Sequence, residues 1–135
     1  MKFMKLATLC LLVLAAVSVQ GGCKKNSPKP AVGCYKGRLE VKGLCMNYTV
    51  SVLEGAIDTA LVESSWRDEQ TGISYRNVFG LGSPCTFPAG IRQGDAFYFT
   101  IDSSSVQNCA VCLAYYPTPP KKLAIRVQTA ACSQP

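Results

Sequence analysis

The stretch CYKGRLEVKGLCMNYTVSVLE, residues 34 to 54, decides the fold. Leu39 and Val41 alternate with charged residues in its first part, and apolar residues occupy even positions as far as Val52 in its second part. A period of two residues is typical of a strand that buries one face. The alternation changes phase at residues 42–44, Lys-Gly-Leu, and we interpret this slip as a β-bulge or sharp bend within one long first strand.

Other parts of the chain have the same strand character, and no segment has a convincing helical period. The further predicted strands are residues 61–67, 73–81, 97–101 and 123–127. The first two flank a polar loop that ends in Gly72, as a hairpin does. Residues 110–116 form another apolar run, which proline ends at position 117. The predicted class is therefore all-β.

Five or six strands with a long, bent first strand resemble a small, disulfide-stapled Greek-key barrel of the OB type. The segment 88–99, in which Gly94-Asp95 begins a strand, is also similar to OB-like barrels. An immunoglobulin-like β-sandwich is the alternative, because Trp66 lies between Cys45 and Cys85 in the order that such sandwiches show.

The N-terminus predicts export. Lys2 and Lys5 precede an uncharged stretch, Leu6 to Val19, which has the length of a signal-peptide core. A membrane-spanning helix needs roughly 20 apolar residues, so a retained span is the weaker interpretation. We expect residues 1–22 to be a signal peptide.

The end of this segment, Gln20-Gly21-Gly22-Cys23, resembles the lipobox of bacterial lipoproteins. The resemblance implies that Cys23 is diacylated, with palmitate or a similar fatty acid, and becomes the N-terminus. Gln20 stands where that pattern has an aliphatic residue, so ordinary cleavage near Gly21 or Gly22, giving a secreted or periplasmic soluble protein, is the alternative. The sequence from Cys23 to Pro30 is also similar to the start of many small Bacteroidota lipoproteins, and Lys24 implies sorting to the outer membrane.

Cysteine parity favours lipidation. Removal of Cys10 with the signal leaves seven cysteines, an odd number for an exported protein, and lipidation of Cys23 leaves six. We expect three disulfides among Cys34, Cys45, Cys85, Cys109, Cys112 and Cys132. Six cysteines allow fifteen connectivities, among which we favour a bond between Cys34 and Cys132 because chain ends often lie close together.

The lipidated cysteine and a tether form residues 23–33, and one domain forms residues 34–135. The tether has almost no large apolar residue and should stay extended. Two lysines of the signal and three of the tether account for five of the 14 basic residues, leaving nine in the domain against eight acidic ones. A domain charge of +1 predicts no nucleic-acid partner, since nucleic acid needs a concentrated basic face.

The chain has no histidine, which excludes Ser-His-Asp and Cys-His catalysis and histidine metal sites. We therefore expect no enzyme, no cofactor and no metal. The spacing Cys109-x-x-Cys112 gives the one chemical alternative, a thiol–disulfide redox protein. A redox pair normally begins a helix, whereas this one runs into a strand-like stretch, so a structural role is favoured.

Aromatic and basic residues around the proline-rich segment form a predicted contact surface. Its members are Trp66, Arg67, Tyr115, Tyr116, Lys121 and Lys122. The plain alternative is that the tyrosines end a core strand and the prolines only connect strands. Asp58-Thr59-Ala60 resembles the O-glycosylation sequence of Bacteroidota, which implies a glycan on Thr59. The function expected overall is a non-catalytic binding or structural module tethered to an envelope membrane, with an envelope protein or glycan as partner.

The lipobox resemblance gives a direct prediction. Cys23→Ser should move the protein from the membrane fraction to the soluble fraction, because two acyl chains provide the stable membrane anchor. Fractionation and mass spectrometry of the mature N-terminus measure this. Cys10→Ser is the matched control and should remain in the membrane fraction. An unmodified N-terminus at Gly22 or Cys23 would contradict the anchor.

Overall fold

A computed structural model describes residues 33–132. The predicted signal peptide, Cys23 and nearly all of the tether lie outside the described residues, as do residues 133–135. Within residues 33–132, no helix has the length and apolar character needed to cross a membrane.

The described chain forms seven strands and three short 3₁₀ turns, so the all-β prediction is confirmed. The 3₁₀ turns are Leu44–Met46, Thr59–Leu61 and Pro84–Thr86. The strands are β1 (Cys34–Lys42), β2 (Tyr48–Glu54), β3 (Glu63–Arg67), β4 (Ser74–Leu81), β5 (Ala96–Ile101), β6 (Lys122–Leu123) and β7 (Ile125–Gln128).

All seven strands belong to one sheet, in the order β3-β4-β2-β1-β5-β7, with β6 paired to β4. The pairings are antiparallel except β4 with β6, which is parallel. Only Ala124 separates β6 from β7, so the last segment pairs with β4 through its first part and with β5 through its second. An immunoglobulin-like sandwich requires two sheets, so this single sheet disfavours that alternative.

The predicted long first strand is wrong, because residues 34–54 are two antiparallel strands joined by a tight turn. The change of phase falls at the turn itself, where Cys45 and Met46 have φ of 55° and 59°. A reversal of direction and a bulge both shift the apolar phase, so alternation alone does not separate them. β-bulges do occur in the β1–β2 ladder, one of them between Leu39 and Val41.

The apolar run 110–116 is not a strand either. Residues 102–121, between β5 and β6, contain neither helix nor strand. Cys109 is bonded to Cys85 and Cys112 to Cys45, in two separate parts of the fold. These disulfides hold the backbone of the segment in place without strand pairing. Prolines at 117, 119 and 120 have no N–H to donate, so the ladder cannot extend from β6 back into this segment.

One apolar core lies on the inner face of the sheet. Phe79 and Phe99 are fully buried, with ring centroids 5.7 Å apart. Gly37 leaves room for this packing, because a Cβ there would lie 2.9 Å from Cε1 of Phe99. The other buried members are Leu39, Val50, Val52, Val62, Leu81, Phe97, Leu123 and Ile125.

The six cysteines of the domain form three disulfides, as predicted. The favoured bond between Cys34 and Cys132 is present, with Cα atoms 5.8 Å apart, and it joins the two ends of the described chain. The other bonds are Cys45–Cys112 and Cys85–Cys109. Three disulfides indicate an extracytoplasmic or secreted protein, because reducing compartments keep thiols free.

These bonds differ in how much they restrict the unfolded chain. The Cys34–Cys132 bond spans 98 positions, and the chain-entropy relation gives about 4.7 kcal/mol for a loop of that size. The Cys85–Cys109 bond spans 24 positions, for which the same relation gives about 3.5 kcal/mol. The double variant Cys34→Ala/Cys132→Ala should therefore lose more free energy of unfolding than Cys85→Ala/Cys109→Ala. Urea denaturation without reductant measures both, and the reverse order would refute the expectation.

Candidate binding surfaces

Two loops meet at the end of the sheet where β1 passes into β2. They are the turn Leu44–Met46 and residues 111–115, and the Cys45–Cys112 disulfide joins them. The Asn47 amide also bridges them, since Nδ2 donates to the Leu44 carbonyl at 2.8 Å and to the Ala114 carbonyl at 3.1 Å. One covalent bond and the hydrogen bond from Asn47 to Ala114 therefore fix the loops to each other.

These loops enclose a cleft of about 360 Å³, called here the loop cleft. Large apolar side chains stand exposed on its two loops: Leu113 is 98% exposed, Tyr115 81% and Leu44 67%, and Met46 and Val111 are also exposed. Five of the nine exposed large apolar residues in the described chain are therefore on two short loops. A concentration of this kind is typical of a contact surface, whereas single exposed apolar residues are ordinary.

The backbone of the turn is strained. Cys45 and Met46 are consecutive non-glycine residues in the left-handed region, which costs on the order of 1–3 kcal/mol each. The disulfide of Cys45 and the amide bridge of Asn47 hold this conformation. In this turn the side chains of Leu44 and Met46 are exposed, and neither packs against the core.

The loop cleft lies far from the residues where the described chain begins and ends. Strand β1 begins at Cys34 and ends at Lys42, directly before the turn Leu44–Met46. Nine residues of strand span roughly 26 Å. Because Cys132 is bonded to Cys34, both ends of the described chain lie at one end of β1 and the loop cleft at the other.

A second cleft, of about 440 Å³, opens on strands β1, β2 and β4 and is called here the sheet cleft. Glu40 lies in it and is already engaged: its Oε1 accepts from Arg38 Nε at 2.9 Å and from Ser51 Oγ at 2.6 Å. Arg76 also lines the cleft and has no salt-bridge partner among the described residues. The charged lining is therefore two arginines and one neutralised carboxylate.

Tyr75 lines the sheet cleft, and Trp66 on the neighbouring strand packs against it. Trp66 on β3 and Tyr75 on β4 are register partners, with ring centroids 6.2 Å and ring planes 20° apart. Burial, followed by the charges of Glu40 and Asp68 and by Tyr116, raises the pKa of Tyr75. The phenol of Tyr75 therefore stays protonated at neutral pH and can donate a hydrogen bond.

The predicted contact residues do not form one surface. Tyr115 stands on the loop cleft, and Lys122 lines it. Tyr116 is half-buried against Gly43, where a Cβ would lie 2.7 Å from its Cδ1. Trp66 instead packs against Tyr75, which lines the sheet cleft.

Three further predicted residues have local roles. Arg67 lies against the hairpin turn, with an Nη 3.3 Å from the position of a Cβ on Gly72. Lys121 is half-buried, and its Nζ donates to the Val62 carbonyl at 2.7 Å and the Thr59 carbonyl at 3.3 Å. Thr59 is exposed at the start of a 3₁₀ turn that Asp58 caps, through an Oδ1 that accepts from Ala60 N. Whether Thr59 carries a glycan remains a prediction from the sequence.

Sequence reasoning missed several residues of both clefts. The sequence places Leu44 at a bulge or bend, Met46 on the apolar face of a strand and Leu113 in an apolar run, and it predicts none of them as a contact residue. The pairing of Cys45 with Cys112 brings these residues together, and the number of cysteines alone does not specify which cysteines pair. Tyr75 and Arg76 carry no local signal, because they meet Arg38 and Glu40 only through the β1–β2–β4 order of the sheet.

The Cys109-x-x-Cys112 spacing does not form a pair, since each cysteine is bonded to a different partner. Among residues 33–132, no group of three or more cysteine or acidic side chains could hold a metal ion. Comparison with protein-family models, with curated proteins and with solved structures finds no match to this chain. The clefts are therefore interpreted from their own chemistry.

Lys121 provides a test of this division between structural and contact residues. Lys121→Met should lower the free energy of unfolding by about 1–3 kcal/mol, because two carbonyls lose a charged donor. Lys122→Met is the matched control and should change it by less than about 0.5 kcal/mol, since its side chain is exposed. Chemical denaturation measures both. Equal losses at the two positions would contradict the assignment.

Proposed function

We propose that this chain is a lipoprotein of a bacterial cell envelope whose domain is a non-catalytic binding module. Cys23 carries the lipid, residues 24–33 form the tether, and the outer membrane holds the anchor. The lipobox resemblance, the even number of cysteines left after lipidation and the three disulfides support this proposal. An OB-like barrel, to which the parallel β4–β6 pair adds support, is the proposed form of the domain.

The loop cleft is the proposed binding site, and the observation that carries the proposal is the five exposed apolar side chains on two stapled loops. A monomeric protein does not gain stability by exposing Leu113 almost completely. A rigid apolar surface loses little conformational entropy on binding, because the disulfide has already ordered its loops. The strained turn is consistent with this role, since strain of this kind is common at ligand contacts.

The partner is an envelope protein that presents a large apolar side chain flanked by carboxylates. The volume of the cleft, about 360 Å³, accommodates one or two apolar side chains. Lys122 lines the cleft and no acidic residue does, which favours a partner with negative charge at its rim. The cleft is at the end of β1 away from the tether, so a lipidated Cys23 leaves it free to meet such a partner.

The redox alternative receives no support from the pairing of the cysteines. A thiol–disulfide enzyme needs the two cysteines of its motif to bond to each other in one of its states. Cys109 and Cys112 instead staple residues 102–121 to Cys85 and to Cys45. A structural role for these cysteines agrees with the proposed binding module.

Site-specific photo-crosslinking in cells tests the proposed site. A benzophenone amino acid at position 113 of the full chain should crosslink to a protein, and the linked peptide should carry a large apolar residue close to Asp or Glu. The same amino acid at exposed position 92, outside the loop cleft, is the control for nonspecific capture. Crosslinks to lipid alone, or equal yields at the two positions, would overturn the proposal.

A substitution on the facing loop makes the test specific. Met46→Ser should reduce the crosslinking yield at position 113 by about tenfold, because Met46 lines the cleft and burial of a methionine contributes about 1.5–3 kcal/mol. Leu53→Ser is the matched control, an equally exposed apolar residue outside the loop cleft, and should leave the yield unchanged. An unchanged yield with Met46→Ser would show that the contact does not use the cleft.

A further inference from the structure

The sheet cleft has a composition quite different from that of the loop cleft. Its polar groups converge from three strands: Arg38 from β1, Ser51 from β2, and Arg76 and Asn77 from β4. Asn77 has φ of 50°, a left-handed residue in a strand, which interrupts the alternation of β4. Tyr75, two residues earlier on the same strand, lines the cleft together with Glu40. Aromatic, cationic and amide groups therefore share one concave surface.

The charge balance of this surface favours an anion. Glu40 is neutralised by Arg38 and also accepts from Ser51, so its Oε1 is engaged twice. Arg38 uses Nε for this contact, and no described residue accepts from its two Nη groups. Arg76 adds a second cation without a salt-bridge partner in the described chain. Two arginines against one glutamate leave the lining with a net charge of +1, and guanidinium donors of Arg76 and of the Nη groups of Arg38 are available to bind carboxylate.

The aromatic pair adds a second kind of recognition. Trp66 and Tyr75 are each only half-buried, and their rings are nearly parallel. Half-buried rings beside polar groups supply an apolar face with hydrogen-bond donors at its rim, the combination that fits a sugar ring. A nucleic acid fits less well, because the domain has nine basic and eight acidic residues and no concentrated basic face.

We infer that the sheet cleft binds an acidic saccharide, one whose sugar rings carry carboxylates. The sugar ring lies against Trp66 and Tyr75, the carboxylate meets Arg76 and the free Nη groups of Arg38, and Ser51 and Asn77 contact hydroxyls. The site is independent of the proposed function, because the loop cleft and the sheet cleft share no lining residue. The inference also does not depend on lipidation of Cys23.

Trp66 is the only tryptophan of the chain and packs against Tyr75 of the sheet cleft, so all tryptophan emission comes from this one ring. Trigalacturonate is the acidic probe and galactotriose the neutral one, titrated into the full chain in detergent. We expect a saturable change in Trp66 emission with trigalacturonate and an affinity at least about tenfold weaker for galactotriose, the difference of one charge-assisted contact. No change with either sugar, or equal affinity for both, would overturn the inference.

Variants assign the contact to named groups. Arg76→Gln should weaken trigalacturonate binding by about tenfold, whereas Arg92→Gln, an exposed arginine outside the cleft, should not. Tyr75→Ala should abolish the signal and Tyr75→Phe retain it, which separates ring stacking from misfolding. Tyr115→Ser, in the loop cleft, should leave the titration unchanged. Unchanged binding in Arg76→Gln would overturn the inference.

A charged peptide is the last comparison, because two arginines could also bind carboxylates of a protein. Hexaglutamate carries more negative charge than trigalacturonate but has no sugar ring to lie against Trp66. It should bind at least about tenfold more weakly and change the emission little. Hexaglutamate binding as tight as that of trigalacturonate would show that charge alone is recognised and would overturn the saccharide assignment.

Discussion

Residues 122 to 128 pair with two strands at once, and the rest of the fold depends on this. Their first part runs parallel to β4 and their second part antiparallel to β5, although these strands are not neighbours elsewhere in the sheet. Ser83, fully buried, fixes the segment through its Oγ, which accepts from Ile125 N at 2.8 Å and donates to Ile125 O at 2.9 Å. Without this segment β5 would be an open edge, and Phe99 would lose Ile125 from its core.

The same segment explains why residues 102–121 are long and irregular. The chain must pass from the end of β5 to a strand that enters beside β4, and it does so in twenty residues without a helix or strand. Loops of this length inside a small domain are uncommon and usually functional or disordered. Here the disulfides of Cys109 and Cys112 hold the segment in place, since no strand pairing does so. A loop fixed by covalent bonds need not bury its apolar residues, and this is the physical basis of the loop cleft.

Local patterns predicted the parts of the fold that depend on neighbouring residues. Alternation found the strands that contain Phe79, Phe99 and Ile125, because one face of each packs on the core. It failed at Gly43, where a turn and a bulge change the apolar phase in the same way, and at Leu113, which is apolar but exposed. The cysteine count predicted three bonds, and the expected proximity of chain ends selected one of them. Trp66 is a contact residue predicted from the sequence, whereas Tyr75, which packs against it, meets Arg38 in the sheet cleft only through strand order.

The arrangement of bonds separates the two clefts physically. The Cys34–Cys132 bond holds both ends of the described chain at one end of β1, and the Cys45–Cys112 bond holds the apolar loops at the other. The sheet cleft lies between them, on the strands themselves, where no disulfide is needed because the ladder fixes Arg38, Ser51 and Arg76. The shape of the loop cleft therefore depends on the Cys45–Cys112 disulfide, and that of the sheet cleft depends on the register of strands β1, β2 and β4. Reducing Cys45–Cys112 would release the loops while leaving the β1–β2–β4 ladder, so the two proposed binding sites would not be lost together.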